Sequence, residues 1–150
     1  MPYWGLFYHV IWSTKGRLPV ISEEVETAIR RSLKLTFADL DAIPHAVGIM
    51  PDHMHVVVSV PPKISPMELV KRMKGASSRA IHKEIDLSFA WQGEYGVLSF
   101  GEQALATVRA YVENQREHHA AGTLWPGLER TSDEDRKPII GRLRDDGTEE

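Results

Sequence analysis

The run YWGLFYHVIWS at residues 3–13 carries Phe7, His9 and Ile11 in alternation with Tyr8, Val10 and Trp12. Successive side chains of a strand leave opposite faces, so both faces of this one are aromatic or β-branched. A strand of that kind belongs at the centre of a sheet. The same run is too short to cross a bilayer, is interrupted by Tyr, Gly and His, and has no basic leader, so it reads as a strand of a cytoplasmic protein with no membrane partner. At 150 residues one domain is expected, with roughly two-thirds of the unfolded surface buried.

The remaining chain alternates elements around that strand. Thr14, Lys15, Gly16 and Arg17 break it, and Ser22 is placed to cap a helix opening on Glu23 and Glu24, acids favoured at a positive helix end. Val25, Ile29, Leu33, Thr36, Phe37 and Leu40 continue at helical spacing. Residues 46–50 form a short apolar run, Pro51 and Asp52 a corner, and residues 53–60 alternate again, which makes a hairpin. Ser65, Pro66 and Glu68 give a cap, a proline at the first helical position and the glutamate of a capping box. The spacing then predicts a helix over 67–85, a strand over 95–100 and a last helix over 102–119. The order β-α-β-β-α-β-α indicates an α+β chain with a ferredoxin-like antiparallel sheet and an added C-terminal helix.

Overall charge is uninformative until it is divided. Lys and Arg number 18 against 21 Asp and Glu, and cysteine is absent, which excludes disulfides, thiolate nucleophiles and Cys-ligated metals. From Glu129 onward there are 8 acids and 5 bases, so the last residues carry the whole net charge of −3. Residues 1–128 are thus read as a neutral catalytic domain and 129–150 as an acidic, flexible tail. Within the neutral body, residues 63–83 gather Lys63, Lys71, Arg72, Lys74, Arg79 and Lys83 against Glu68 alone, a local net of +5.

Two small constellations could carry chemistry. His53 and His55 lie two apart on one strand, so both rings leave the same face with α-carbons roughly 6.5 Å apart, close enough to share a metal ion. Met54, Val56, Val58 and Val60 fill the opposite face. Taken alone, such a pair reads equally as solvated or hydrogen-bonded histidines. In the last helix Tyr111 and Gln115 stand one turn apart on the side that Leu105, Val108 and Val112 turn toward the sheet, which also describes an ordinary buried tyrosine with an amide neighbour.

The strings Met50-Pro51-Asp52-His53-Met54-His55 and Tyr111-Val112-Glu113-Asn114-Gln115, followed by His118 and His119, resemble the HUH single-tyrosine transposases, which move bacterial insertion sequences as single-stranded DNA and include the REP-associated tyrosine transposases. The resemblance runs from about residue 8 to 119 and takes in Tyr8-His9-Val10, Thr14-Lys15-Gly16-Arg17, Lys74-Gly75-Ala76-Ser77-Ser78-Arg79 and Trp91-Gln92-Gly93-Glu94-Tyr95-Gly96. It implies that His53, His55 and Gln115 hold a divalent cation, Mg²⁺ or Mn²⁺, and that Tyr111 is the nucleophile. The implied reaction cuts single-stranded DNA through a 5′-phosphotyrosine link, rejoins it without a nucleotide cofactor, and recognises DNA hairpins, with a homodimer as the assembly. His118 and His119 match the family string but are not taken as ligands while Gln115 fills that place. Relatives commonly continue past the tyrosine helix into an amphipathic segment that helps assemble the site; residues 122–128 offer little of that pattern.

The basic helix is the expected DNA surface, through Lys71, Lys74, Ser77, Ser78, Arg79 and Lys83, with Lys15 and Arg17 extending it. Gly75, which costs on the order of 1 kcal/mol relative to Ala in a helix, is easier to understand where a nucleic-acid backbone or another element comes close. Trp91 and Trp125 could stack on bases or pack in the core or an interface. A solvated helix face is the plain alternative for the lysines and arginines. At the level of function, the alternative to a strand transferase is a domesticated hairpin-DNA-binding protein that no longer cuts. A hydrolytic metalloenzyme built on the histidine pair is disfavoured, because Val57 stands where an H-x-H-x-D or H-x-H-x-H pattern needs a ligand.

Overall fold

The computed structural model describes residues 3–131. Four strands, β1 (Phe7–Ser13), β2 (Ile43–Ile49), β3 (His53–Ser59) and β4 (Gly96–Phe100), form one sheet in the order β2-β3-β1-β4. Every neighbouring pair is antiparallel, and β1 lies inside the sheet between β3 and β4. This is the ferredoxin-like arrangement that the element order implied.

Helices α1 (Glu23–Asp39) and α2 (Pro66–Glu84) cover one face. Their starts are fixed locally: the Ser22 side chain accepts from the Val25 N–H and the Ser65 side chain from the Glu68 N–H. Val10 and Trp12 of β1, Met54, Val56 and Val58 of β3, Ile29 and Leu33 of α1, and Leu69, Met73 and Ile81 of α2 meet in the main core, all essentially unexposed. Burial of each such side chain contributes about 1.5–3 kcal/mol.

The other face is covered by α3 (Leu105–Glu113) and the shorter α4 (Gln115–Ala121). A second, smaller core of Ala46, Val57, Val108, Tyr111 and Val112 seats α3 there. The contact depends on Gly48, where a Cβ would fall 2.4 Å from the Val112 carbonyl oxygen and 3.0 Å from Gln115 Cγ. No larger residue lets the helix come that close to β2.

Two details differ from the sequence reading. Pro44, expected to precede the second strand, lies within β2, an edge strand, beside a register shift between Pro44 and Ala46. The single last helix expected over 102–119 is instead a 3₁₀ turn at Glu102–Ala104 followed by α3 and α4, which break at Asn114. Tyr111 and Gln115 therefore lie on two helices and not on one rigid rod. Among the described residues, no helix is long and apolar enough to cross a membrane.

Candidate active site

His53 and His55 leave the α3 face of the sheet at the beginning of β3, both buried. Each is held from behind. Asp52 Oδ1 lies 2.6 Å from His53 Nδ1, and His9 Nε2 of the adjoining β1 lies 2.8 Å from His55 Nδ1. The Nε2 atoms of both rings thus face the space under α3 and α4. Aspartate or carbonyl partners of this kind commonly fix the ring orientation of metal-binding histidines.

Tyr111 projects from α3 into the same space and is buried. His118 stacks on one side of its ring at 4.6 Å between centroids, and Trp125 stacks at 4.7 Å. The phenol oxygen accepts from the Trp125 backbone N–H at 3.0 Å and donates to Glu129 Oε1. Burial, reinforced by the Glu129 hydrogen bond, pushes the phenol pKa up to about 12.

Glu129 is the residue that the sequence reading assigned to a flexible tail. Here its carboxylate lies 3.2 Å from His55 Nε2 and 3.5 Å from His53 Nε2. Burial works against its charge, but the His55 and Tyr111 contacts outweigh that and hold its pKa at about 2. The segment is admitted by Gly96, where a Cβ would lie 1.9 Å from the Arg130 carbonyl oxygen; Thr131 behind it is buried. The rest of the tail, 132–150, lies outside the described residues.

His53, His55 and Glu129 offer ligand atoms all within 4.8 Å of one another. Six-coordinate ions of the Mg²⁺ type bind at about 2.1 Å, which places adjacent ligands about 3 Å apart. The His55–Glu129 and His53–Glu129 distances suit that spacing. His55 Nε2 is also fully buried without a hydrogen bond of proper geometry, as a nitrogen awaiting a cation would be. The donor set fits a small divalent cation.

Gln115, the third ligand implied by the family resemblance, is buried beside this cluster over Gly48, which pairs with His55 across the sheet. Its Oε1 accepts from His119 Nε2 at 3.1 Å, and the same nitrogen lies 3.1 Å from His53 Nε2. Its amide nitrogen donates to the Tyr111 carbonyl at 3.2 Å, bridging the break between α3 and α4. His9 and Glu129 are site neighbours that sequence spacing did not single out; His119 had been matched to the family string without being taken as a ligand, and Trp125 packs on Tyr111, one of the roles expected for it. The one signal for the segment carrying Glu129 was Trp125 and Leu128, apolar residues three apart in a polar stretch.

The expected DNA strip divides. Lys71, Arg79 and Lys83 are exposed along α2 and form no ion pair among the described residues, and Lys15 and Arg17 are exposed in a tight turn. That turn is tied to the site, since the Thr14 N–H donates to the carbonyl of Asp52, the partner of His53. Ser78 is partly exposed. A Cβ at Gly75 would meet no atom within 4 Å, so nothing among the described residues explains that glycine. Ser77 and Lys74 are turned toward the chain. Ser77 is buried, donating to the Met73 carbonyl and accepting from Trp91 Nε1 at 2.9 Å. Lys74 donates to the carbonyls of Gln92 and Glu94, and burial lowers its pKa. Both pin the segment at 91–94 to α2, a demand that helical periodicity does not reveal.

A four-stranded antiparallel sheet with a tyrosine helix packed over a histidine pair is the arrangement that the resemblance to the HUH single-tyrosine transposases implied. The chain belongs to the IS200-like transposase family, whose model, "Transposase IS200 like", matches residues 2–115. It is 29% identical over 119 residues to the ISDra2 transposase TnpA of Deinococcus radiodurans, covering 75% of this chain and 85% of that one. It is 25% identical over 126 residues to the transposase for insertion sequence element IS200 of Salmonella typhimurium, covering 79% and 82%. A transposase crystal structure from Deinococcus radiodurans superposes with a TM-score of 0.62 at 28% identity, over 77% of this chain and 95% of the other. A REP-associated tyrosine transposase bound to a REP hairpin superposes with a TM-score of 0.63 at 14% identity, over 89% and 90%, a likeness of fold. Glu129 lies beyond the stretch that the family model matches.

Proposed function

We propose that this transposase is a metal-dependent single-stranded DNA endonuclease and strand transferase that acts on DNA carrying hairpins. The observation that carries this reading is the Tyr111 hydroxyl, held between the Trp125 N–H and Glu129 beside the buried histidine pair. That places the phenol oxygen beside the groups that would hold the cation.

His53 and His55 would hold the cation, with Glu129 and Gln115 as the neighbouring oxygen donors. The chemistry that Mg²⁺ or Mn²⁺ would supply there is polarisation of a phosphate oxygen and stabilisation of the charge developing on it. The Tyr111 oxygen attacks phosphorus as its proton passes to the Glu129 carboxylate to which it already donates, the bond to the 3′-oxygen breaks, and the leaving strand takes up a proton as a 3′-hydroxyl. The strand bearing the 5′-phosphate remains linked to Tyr111, and attack on that link by another 3′-hydroxyl rejoins DNA with no energy input. The Trp125 N–H donates to the tyrosine oxygen and favours its ionised form, opposing the burial that resists it.

The hairpin part of the reading draws on the REP hairpin held by the structural relative and on the exposed Lys15, Arg17, Lys71, Arg79 and Lys83. Ser78 and the open approach at Gly75 suit a phosphate backbone lying along α2. A homodimer remains part of the reading through the family resemblance.

The test is a denaturing gel of end-labelled single-stranded hairpin DNA from the sequence flanking the gene, incubated with the protein and Mn²⁺. A covalent adduct is expected, abolished by EDTA and by Tyr111→Phe. Salt-sensitive binding with no adduct would instead support the hairpin-binding alternative.

A further inference from the structure

We infer that His9 is a positioning residue for His55, holding that ring so that its Nε2 lone pair faces the metal site. The inference rests on the metal reading given above and extends it to the residue behind the ligand.

His9 lies on the central strand with 1% of its surface exposed, between Phe7 and Ile11 on the same face. Nothing in a sheet interior calls for an imidazole there. Its Nε2 is 2.8 Å from His55 Nδ1, and its own Nδ1 is buried with no partner among the described residues. A neutral imidazole carries one N–H, so a ring that offers Nε2 as a ligand must carry its proton on Nδ1. His55 Nδ1–H then needs an acceptor in a place closed to water, and His9 Nε2 is in contact with it.

The neighbouring histidine shows the same plan. His53 directs Nε2 to the site and has its Nδ1 against the Asp52 carboxylate at 2.6 Å. Asp52 lies at the rim, partly exposed, where a charge stays hydrated. His55 lies wholly inside, where a second carboxylate would bring an unpaired charge into the core; a neutral imidazole accepts the same hydrogen bond without one. The unpartnered His9 Nδ1 is the cost of that arrangement, and it is what a residue retained for its other nitrogen would show.

The test uses the whole chain and reads metal binding and tautomer, not activity. Mn²⁺ affinity is measured by calorimetry for the wild type, His9→Leu and His9→Gln, with melting temperature recorded without metal. Imidazole ¹⁵N shifts of the Mg²⁺-loaded wild type identify the protonated nitrogen of His55. His9→Leu is expected to weaken Mn²⁺ binding about 10–100-fold, the usual effect of losing a partner behind a ligand. Its metal-free melting temperature should change little, because the unpaired His9 Nδ1 is exchanged for an unpaired His55 Nδ1. His9→Gln, which keeps an acceptor, should bind within a few-fold of the wild type. Mn²⁺ affinity unchanged in His9→Leu, or a loaded wild type with His55 Nδ1 unprotonated, overturns the inference alone. Absence of Mn²⁺ binding in the wild type contradicts the metal reading and the inference together.

Discussion

The Tyr111 hydroxyl donates a hydrogen bond to Glu129, 18 residues further along and beyond the last helix. The phenol and the histidine pair therefore share one carboxylate, and the segment after α4 completes a site that α3 and β3 begin. A negative charge beside a phenol opposes its ionisation. Together with burial, that interaction accounts for a tyrosine titrating near 12.

Burial is the larger cause of the raised Tyr111 pKa and stays in Glu129→Gln, so removing the charge should lower the midpoint from about 12 while leaving it above the ordinary value. Phenolate absorbance followed with pH, taken as the difference from Tyr111→Phe, isolates this residue from the other tyrosines. A midpoint unmoved by Glu129→Gln contradicts the hydrogen bond.

Gly96→Ala should have the same spectroscopic effect without altering any side chain of the cluster. Its methyl group would collide with the Arg130 carbonyl oxygen and lie 2.9 Å from Ile11, so the segment carrying Glu129 must lift. A destabilisation of about 1–3 kcal/mol is expected, as for other overpacked sites. Urea unfolding and the Tyr111 titration measure the two effects in one variant.

Stability should fall as pH is lowered below 6.5. Burial holds the His9 pKa at about 3, against 6.5 when unfolded, so between those values the unfolded chain binds a proton that the folded one excludes. The loss is about 1.4 kcal/mol per pH unit for one such histidine. His55 shifts in the same direction, also through burial. Glu129 acts lower, its contribution present above pH 4.5 and lost toward pH 2. Urea unfolding between pH 7.5 and 5 should show the slope, and His9→Leu should make it shallower by one histidine's share.

Neutralising Lys71, Arg79 and Lys83 together should reduce the salt dependence of hairpin binding. Each phosphate of a single strand that is no longer neutralised takes about 0.7 from the slope of log K against log salt, so a decrease of about 2 is expected, with little change in fold stability. Ser77→Ala should do the reverse: salt dependence is retained, and stability falls by about 0.5–1.5 kcal/mol as the Trp91 hydrogen bond is removed. Fluorescence anisotropy across a salt series, paired with thermal melting, separates the two.

Strand and helix periodicity carried the fold. The two apolar faces of β1 placed it inside the sheet, and the alternation through 53–60 put the histidines opposite Met54 and Val56. The site was legible as far as regular spacing reaches, which is His53 with His55 and Tyr111 with Gln115. Glu129 was not, because it lies past the last helix at the head of an acidic stretch, and composition describes that stretch as a whole. Gly48 and Gly96 admit α3 and the 129–131 segment, respectively, through packing between residues distant in sequence. Ser77 and Lys74 sit in the basic run yet face the chain, since a charge count does not show which way a side chain turns. The break at Asn114 was hidden by a residue pattern that continues through it.

The central claim, that Tyr111 forms the covalent link to DNA, is tested most directly by mass spectrometry of the protein digested after reaction with single-stranded hairpin DNA and Mn²⁺. A peptide containing Tyr111 is expected to be heavier by a 5′-phosphate-linked oligonucleotide, with a free 3′-hydroxyl on the released strand. Unmodified Tyr111 in a reaction that has cut the DNA, or the nucleotide attached to another residue, would contradict it.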